Sequence, residues 1–359
     1  MFAVLLGAAP AAAGKELPRD EAGVARALKT LAEVSGPGES FEVWETEHYC
    51  ILYNGEKEIA IQRGHLLEKL QRHYFLFLRH VGIEHRPLEL KLVALVFDHQ
   101  DDFLRYAQAD GFALGAGDHV YIEGYYSSGT NRAAFFNQQR GGAYERTKEA
   151  MIRLAESLEQ IPGGKDTPVK IIGPEGPRWT TKGEAARELV EMKKELIATF
   201  ENENRVVTQH EGAHQLAFNA GLQRRGAAYP FWVSEGLACT FESPGTRKGF
   251  GAFRVNGARL EQYRDAQQRG TVKGLRGLVT LPPESRENVL DLYAESWALF
   301  FFLAKTRPKE LSAYLKDLAA RERTAEFDGE AEWALFARHF DVQGDKLENE
   351  WQLFLRRLK

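Results

Sequence analysis

The chain has 359 residues, 43% of them hydrophobic, enough for one large domain or two smaller ones with a proper core. Its 47 basic and 51 acidic residues are intermingled and leave a formal net charge of -4, so there is no long-range attraction for polyanions and nucleic-acid binding is excluded. The two cysteines, Cys50 and Cys239, lie far apart and in no CxxC arrangement; this supports neither a disulfide framework nor a cysteine-based zinc site, and a single bridge between them stays open.

The N-terminus, MFAVLLGAAPAAAG, is apolar from Phe2 and reaches Ala11, Ala12 and Ala13, small residues suited to signal-peptidase cleavage before Gly14. Residues 1–13 are therefore expected to be an atypical signal peptide, lacking a preceding Lys or Arg, and the protein to be exported to the periplasm or outside the cell. The alternative is a disordered alanine-rich tail on a cytoplasmic protein. Glu21 to Val34 has helical spacing, and FEVWETEHYCILYN then alternates around Phe41, Val43, Tyr49, Ile51 and Tyr53 as paired strands do. From Glu56 to Val81 the apolar positions Leu66, Leu67, Leu70, Tyr74, Phe77 and Leu78 predict a core-facing helix, followed by the β-prone run LELKLVALVF. A short helix around Phe103 to Ala109 precedes GFALGAGDHVYIEGYYSSGTNRAAFFN, a glycine-punctuated loop and a hairpin turning at SSGT, with Asn131 to Asn137 as its second strand.

Residues 141–204 are charged and helical in pattern, interrupted by IPGGKDTPVKIIGPEGPRW, whose prolines and glycines rule out a continuous helix; the segment reads as a surface insertion. Beyond Arg205 nearly everything is helical, with loops around Pro244 to Gly251 and Gly270 to Pro283. LYAESWALFFFLAK comes nearest to a membrane span, but Glu295 and Lys305 cut it below the roughly 18 apolar residues required, and it reads as a core helix. The expected fold class is α+β: an N-terminal lobe at 14–140 built on a small mixed sheet with a hairpin edge strand, an insertion at 141–204, and an all-helical lobe at 205–359. A cleft between two such lobes is a common place for a site.

The segment TQHEGAHQLAFNAG, residues 208–221, carries the chemistry. Val207, His210, Ala213, His214, Ala217 and Phe218 share one face of a helix that ends at Gly221, so the two imidazoles lie one above the other and can grip one ion. Zinc suits such nitrogen ligands, and a catalytic zinc site needs a third protein ligand with the fourth position left for water. Glu211 is turned about 100° away from His210, placed to reach that water as a general base without ligating the metal. Gly212 is out of place in a helix interior, where glycine costs about 1 kcal/mol relative to alanine, and a close backbone neighbour would account for it. Downstream, AYPFWVSEGLACTFE starts a new helix after Pro230 and delivers Glu235 21 positions after His214, at a separation that returns a carboxylate to the histidine face. Glu235 is the expected third ligand of one Zn2+ ion.

HEGAH followed by WVSEGLA resembles the gluzincin metallopeptidases, and most nearly the peptidase-MA-like proteins that include DUF1570. The GYYS and TNR elements at Gly124, Tyr125, Tyr126, Ser127 and Thr130, Asn131, Arg132 are similar as well, so the resemblance runs over roughly residues 40 to 305. It implies a thermolysin-like catalytic fold and a peptide or protein substrate pairing with the hairpin strand Asn131 to Asn137, which could equally be a plain sheet edge. It also implies a transition-state tyrosine on a later helix, for which Tyr293 is the candidate; the competing reading packs Tyr293 into the core with Trp297 and Phe300. Some gluzincins hold a zinc-bound histidine with an Asp four positions after the ligand glutamate, where this chain has Cys239. Glu242, two turns beyond Glu235, has the spacing to take over that task or to be an ordinary surface residue. Dinucleotide, phosphate-loop and GxSxG signatures are incomplete or missing. The expected activity is thus zinc-dependent peptide hydrolysis; the alternatives are a binding protein that retains the zinc scaffold without turnover, and a hydrolase of non-peptide amides such as cell-wall cross-links.

Overall fold

A computed structural model describes residues 17–35, 40–112, 122–173, 176–243, 251–321 and 326–358. The expected signal peptide at 1–13, the glycine loop at 113–121 and the loop at 244–250 lie outside them.

The architecture is mixed α and β. A five-stranded sheet is built from β1 (Glu42–Glu45), β2 (Tyr49–Tyr53), β3 (Leu92–Phe97), β4 (Gly124–Ser127) and β5 (Arg132–Phe136), in the order β1-β2-β3-β5-β4. β1 and β2 form an antiparallel hairpin, β2, β3 and β5 run parallel, and β4 returns antiparallel to β5. Both faces of the sheet are covered, which explains why β2, β3 and β5 are buried along their whole length. Alternation sorts the side chains: Tyr49, Ile51, Tyr53, Leu92, Ala94, Val96, Ala133 and Phe135 join the large core containing α2 (Lys57–Val81) and α5 (Lys182–Asn219). Their neighbours Cys50, Leu52, Val93, Leu95, Phe97, Ala134 and Phe136 face α1 (Glu21–Val34) and α3 (Gln100–Ala109) in a second core. Cys50 and Cys239 are both free and buried, in different cores, so they do not pair.

Residues 141–204 form α4 (Gly142–Gln160), an antiparallel hairpin of β6 (Pro168–Gly173) and β7 (Gly176–Thr181), and the first half of α5. Thr181 and Glu184 close a capping box at the start of α5, whose 38 residues run without a break through Asn204 and Arg205 into the HEGAH turn. The helical part continues with α6 (Phe231–Phe241), α7 (Gly257–Arg269), α8 (Gly274–Val279), α9 (Val289–Thr306), α10 (Pro308–Ala319), α11 (Gly329–His339) and α12 (Lys346–Arg357). α9 holds LYAESWALFFFLAK with Trp297, Ala298, Leu299 and Phe300 wholly buried, as a core helix requires. Among the described residues no helix is long and apolar enough to cross a membrane.

Three polar and steric fasteners lock the second half of α5 in place. Gln215 donates to the Val93 and Asn131 carbonyls at 3.0 and 3.1 Å. Arg63 of α2, its pKa pushed down by burial to about 9, donates to Asn204 and Thr208 of α5 and to the Phe136 carbonyl of β5. Gly212 has a packing reason: a Cβ there would stand 2.7 Å from Leu70 Cδ2 and 2.8 Å from Leu67 Cδ2, so glycine lets α2 and α5 meet closely.

Candidate metal centre

α5 supplies His210, Glu211 and His214, and it stops just beyond them. Ala220 caps the helix and Gly221 takes the left-handed conformation at φ 84, as its position predicts. The chain then turns through Pro230 into α6, which packs back across α5 and carries Glu235 in its second turn. α6 is held in turn by α9, because Gly236 lies directly on the Ser296 carbonyl, where any Cβ would overlap it. Gly236→Ala should therefore push α6 from α9 and lower stability by about 1–3 kcal/mol, the usual cost of overpacking. Denaturant unfolding reads this, and wild-type stability in the variant would show that the contact can open freely.

The three expected ligands converge. His210 Nε2 lies 3.0 Å from Glu235 Oε2 and 3.1 Å from His214 Nε2, and His214 Nε2 lies 3.4 Å from Glu235 Oε2. Ligands about 2.0–2.1 Å from a tetrahedral ion stand roughly 3.3–3.4 Å apart, so this triangle has nearly the size zinc requires. The protonation pattern agrees with a cation. Nδ1 of His210 is 2.8 Å from Glu242 Oε1 and donates to it, which in a neutral ring leaves the Nε2 lone pair facing a carboxylate oxygen. Two acceptors at that distance need either a proton or a metal ion between them. Burial works against charge on His210, yet Cys239, Glu235 and Glu242 together push its pKa well above the ordinary imidazole range. Burial raises and His214 and His210 more than offset it at Glu235, whose carboxyl is held well below the usual range. Neither Glu211 nor Glu235 has a Lys or Arg ion-pair partner among the described residues; Glu235 is paired only with the two imidazoles. The donor set fits a divalent metal ion.

His210 also stands in a second group, with Cys239 and Glu242, that could hold a metal. Cys239 Sγ is 4.0 Å from His210 Nδ1, while Glu242 is already engaged by Arg259 at 2.7 and 2.8 Å and by Asn256 at 3.1 Å. A carboxylate neutralised by a guanidinium is a poor ligand but a good brace, so Glu242 serves to orient His210. A third group, Glu47, His48 and Glu68, lies elsewhere and is internally paired, with His48 Nδ1 2.8 Å from Glu68 Oε2.

Glu211 faces the same cluster. Burial raises its pKa, His210 and His214 lower it, Glu235 raises it, and the Tyr126 backbone lowers it, with a net upward shift. That contact places β4 beside the histidine-bearing stretch of α5, and Gly124 shows the same proximity, since a Cβ there would reach Val207 Cγ1 at 2.5 Å. Here the structure corrects one expectation: Asn131 to Asn137 is not the edge strand. β5 pairs with β3 on one side and β4 on the other, and it is β4 that is left at the edge. Tyr293 does not stack on Trp297 or Phe300. Its ring centroid lies 5.7 Å from that of His210 and it stacks on Phe231 at 5.7 Å and 17°. Burial raises its pKa above the usual phenol value, so the hydroxyl remains a donor.

Sequence spacing singled out Glu242 without assigning it, and it passed over Asn256 and Arg259. Their only signal is an Asn-x-x-Arg start to α7, where Asn256 caps the helix by accepting from the Arg259 amide at 3.3 Å. No curated protein matches the chain. Residues 205–325, which carry all of these groups, match the family model of DUF1570, described as a protein of unknown function, and this supports the resemblance to that family.

Proposed function

We propose that the protein is a zinc-dependent peptidase with a thermolysin-like catalytic arrangement, in which His210, His214 and Glu235 hold one Zn2+ ion and Glu211 is the general base. The observation that carries this reading is the 3.0–3.4 Å triangle of His210, His214 and Glu235 side-chain atoms, with the half-buried Glu211 carboxyl beside it. Zinc bound there would act as a Lewis acid and bring the pKa of a coordinated water to about 7. Glu211 accepts the proton of the attacking water and passes it to the leaving amine. Tyr293 donates its hydroxyl hydrogen to the developing oxyanion. β4, with Gly124–Ser127 the outermost of the described strands, would offer backbone groups to an extended peptide running past Glu211.

Tyr293→Phe should lower turnover by about 10² to 10³ with zinc retained, the usual scale for one oxyanion donor. An unchanged rate with full zinc occupancy would assign Tyr293 to packing against Phe231. The substrate class is tested by incubating the zinc-loaded protein with quenched peptide libraries and with cell-wall fragments. Cleavage of peptides supports the proposal, cleavage of fragments alone makes the protein a hydrolase of other amides, and binding without cleavage makes it a retired scaffold. Export, read from residues 1–13, is checked by fractionation of cells expressing the full chain.

A further inference from the structure

Four hydrogen bonds end on the Glu242 carboxylate: one from His210 Nδ1, one from Asn256 Nδ2 and two from Arg259, whose Nε and Nη2 donate to Oε2 and Oε1 at 2.8 and 2.7 Å. The remaining arm of the guanidinium, Nη1, donates to Gln262 Oε1 at 3.0 Å, so the plane of the group is fixed from both ends. The group also lies over the Tyr293 ring, with the guanidinium carbon 5.3 Å from the ring centroid. Arg259 is thus in contact with the brace of a metal ligand and with the candidate oxyanion donor at once, while its own side chain is only 12% exposed.

We propose that Arg259 is a positioning residue for both halves of the site, fixing His210 through Glu242 and Tyr293 through the face of its guanidinium. The proposal rests on the zinc reading above. A carboxylate that swings freely would let the His210 ring rotate about its χ angles and move Nε2 off the 3.0 Å triangle; a bidentate clamp removes that freedom. Lysine cannot replace it, because a point charge on a flexible stem neither forks onto a carboxylate nor lies flat against a ring. A single side chain therefore makes both metal affinity and tyrosine placement depend on it.

The test uses the full-length protein as wild type, Arg259→Ala, Arg259→Lys and each combined with Tyr293→Phe. Zinc affinity is measured by competition with a chromophoric chelator, the visible spectrum of the Co2+-substituted protein reports ligand geometry, and the thermal midpoint of the metal-free protein reports folding. Arg259→Ala should weaken zinc binding by about 10- to 100-fold, the range for loss of an outer partner of a ligand. Arg259→Lys should recover folding but not full affinity, and its cobalt spectrum should stay altered. In turnover, the loss from Tyr293→Phe should shrink to under about tenfold in either Arg259 variant. Wild-type zinc affinity and cobalt spectrum in Arg259→Lys would overturn the role at His210, and an undiminished Tyr293→Phe loss would overturn the role at the tyrosine. A wild-type chain that binds no zinc at all would instead remove the metal reading on which the proposal rests.

Discussion

Glu211→Gln should bind one zinc ion per chain as tightly as wild type and hydrolyse nothing measurable. The ligand triangle involves His210, His214 and Glu235 but not Glu211, so the amide leaves metal affinity untouched. What it removes is the proton acceptor. A carboxylate beside the ligand triangle is placed to take the proton of the attacking water and to return it to the leaving amine. Positioned acid–base groups typically contribute about 10² to 10⁴ in rate, and glutamine supplies none of it. Full residual hydrolysis in a zinc-loaded glutamine variant would refute the assigned base.

His210→Ala should lose the metal and with it all turnover. Of the three ligands this one has the most to break: it supplies one corner of the triangle and the donor that satisfies Glu242. Removing the ring leaves Glu235 with only His214 beside it and leaves Glu242 facing a cavity, although Arg259 still neutralises that carboxylate. The fold should therefore survive the change while the zinc site does not. Metal analysis after dialysis, alongside the thermal midpoint, separates these effects; stoichiometric zinc in a folded alanine variant would show that the ion sits elsewhere, with Glu47, His48 and Glu68 the next place to look.

Much of this was legible in the sequence because it obeys local periodicity. The alternation in β1 and β2 and the apolar stripe of α2 follow from periods of two and about 3.6, and so does the shared face of His210 and His214. The approach of Glu235 to the two histidines was legible too, because the chain that leaves α5 at Asn219 turns back into a new helix after Pro230. What could not be read is set by tertiary packing. Sheet order is one case: β4 and β5 form a hairpin whichever member lies outside, and only the parallel pairing of β5 with β3 decides it. The brace on His210 is another. Cys239, four positions after Glu235, lies 4.0 Å from Nδ1, but Glu242 at the end of α6 reaches it at 2.8 Å. That depends on α7 arriving with Asn256 and Arg259, 14 and 17 residues downstream of Glu242, along an approach no local pattern encodes. Gly212 and Gly236, unhelpful to a helix in isolation, make sense only once α2 and α9 are seen against them.

The most direct measurement is the metal content of the purified full-length protein by elemental analysis, before and after dialysis against a chelator and re-addition of Zn2+. One zinc per chain, removed by the chelator, restored on addition and absent from His210→Ala, is the predicted result. A folded wild-type chain that holds no zinc and takes up none when it is supplied would contradict the account at its root.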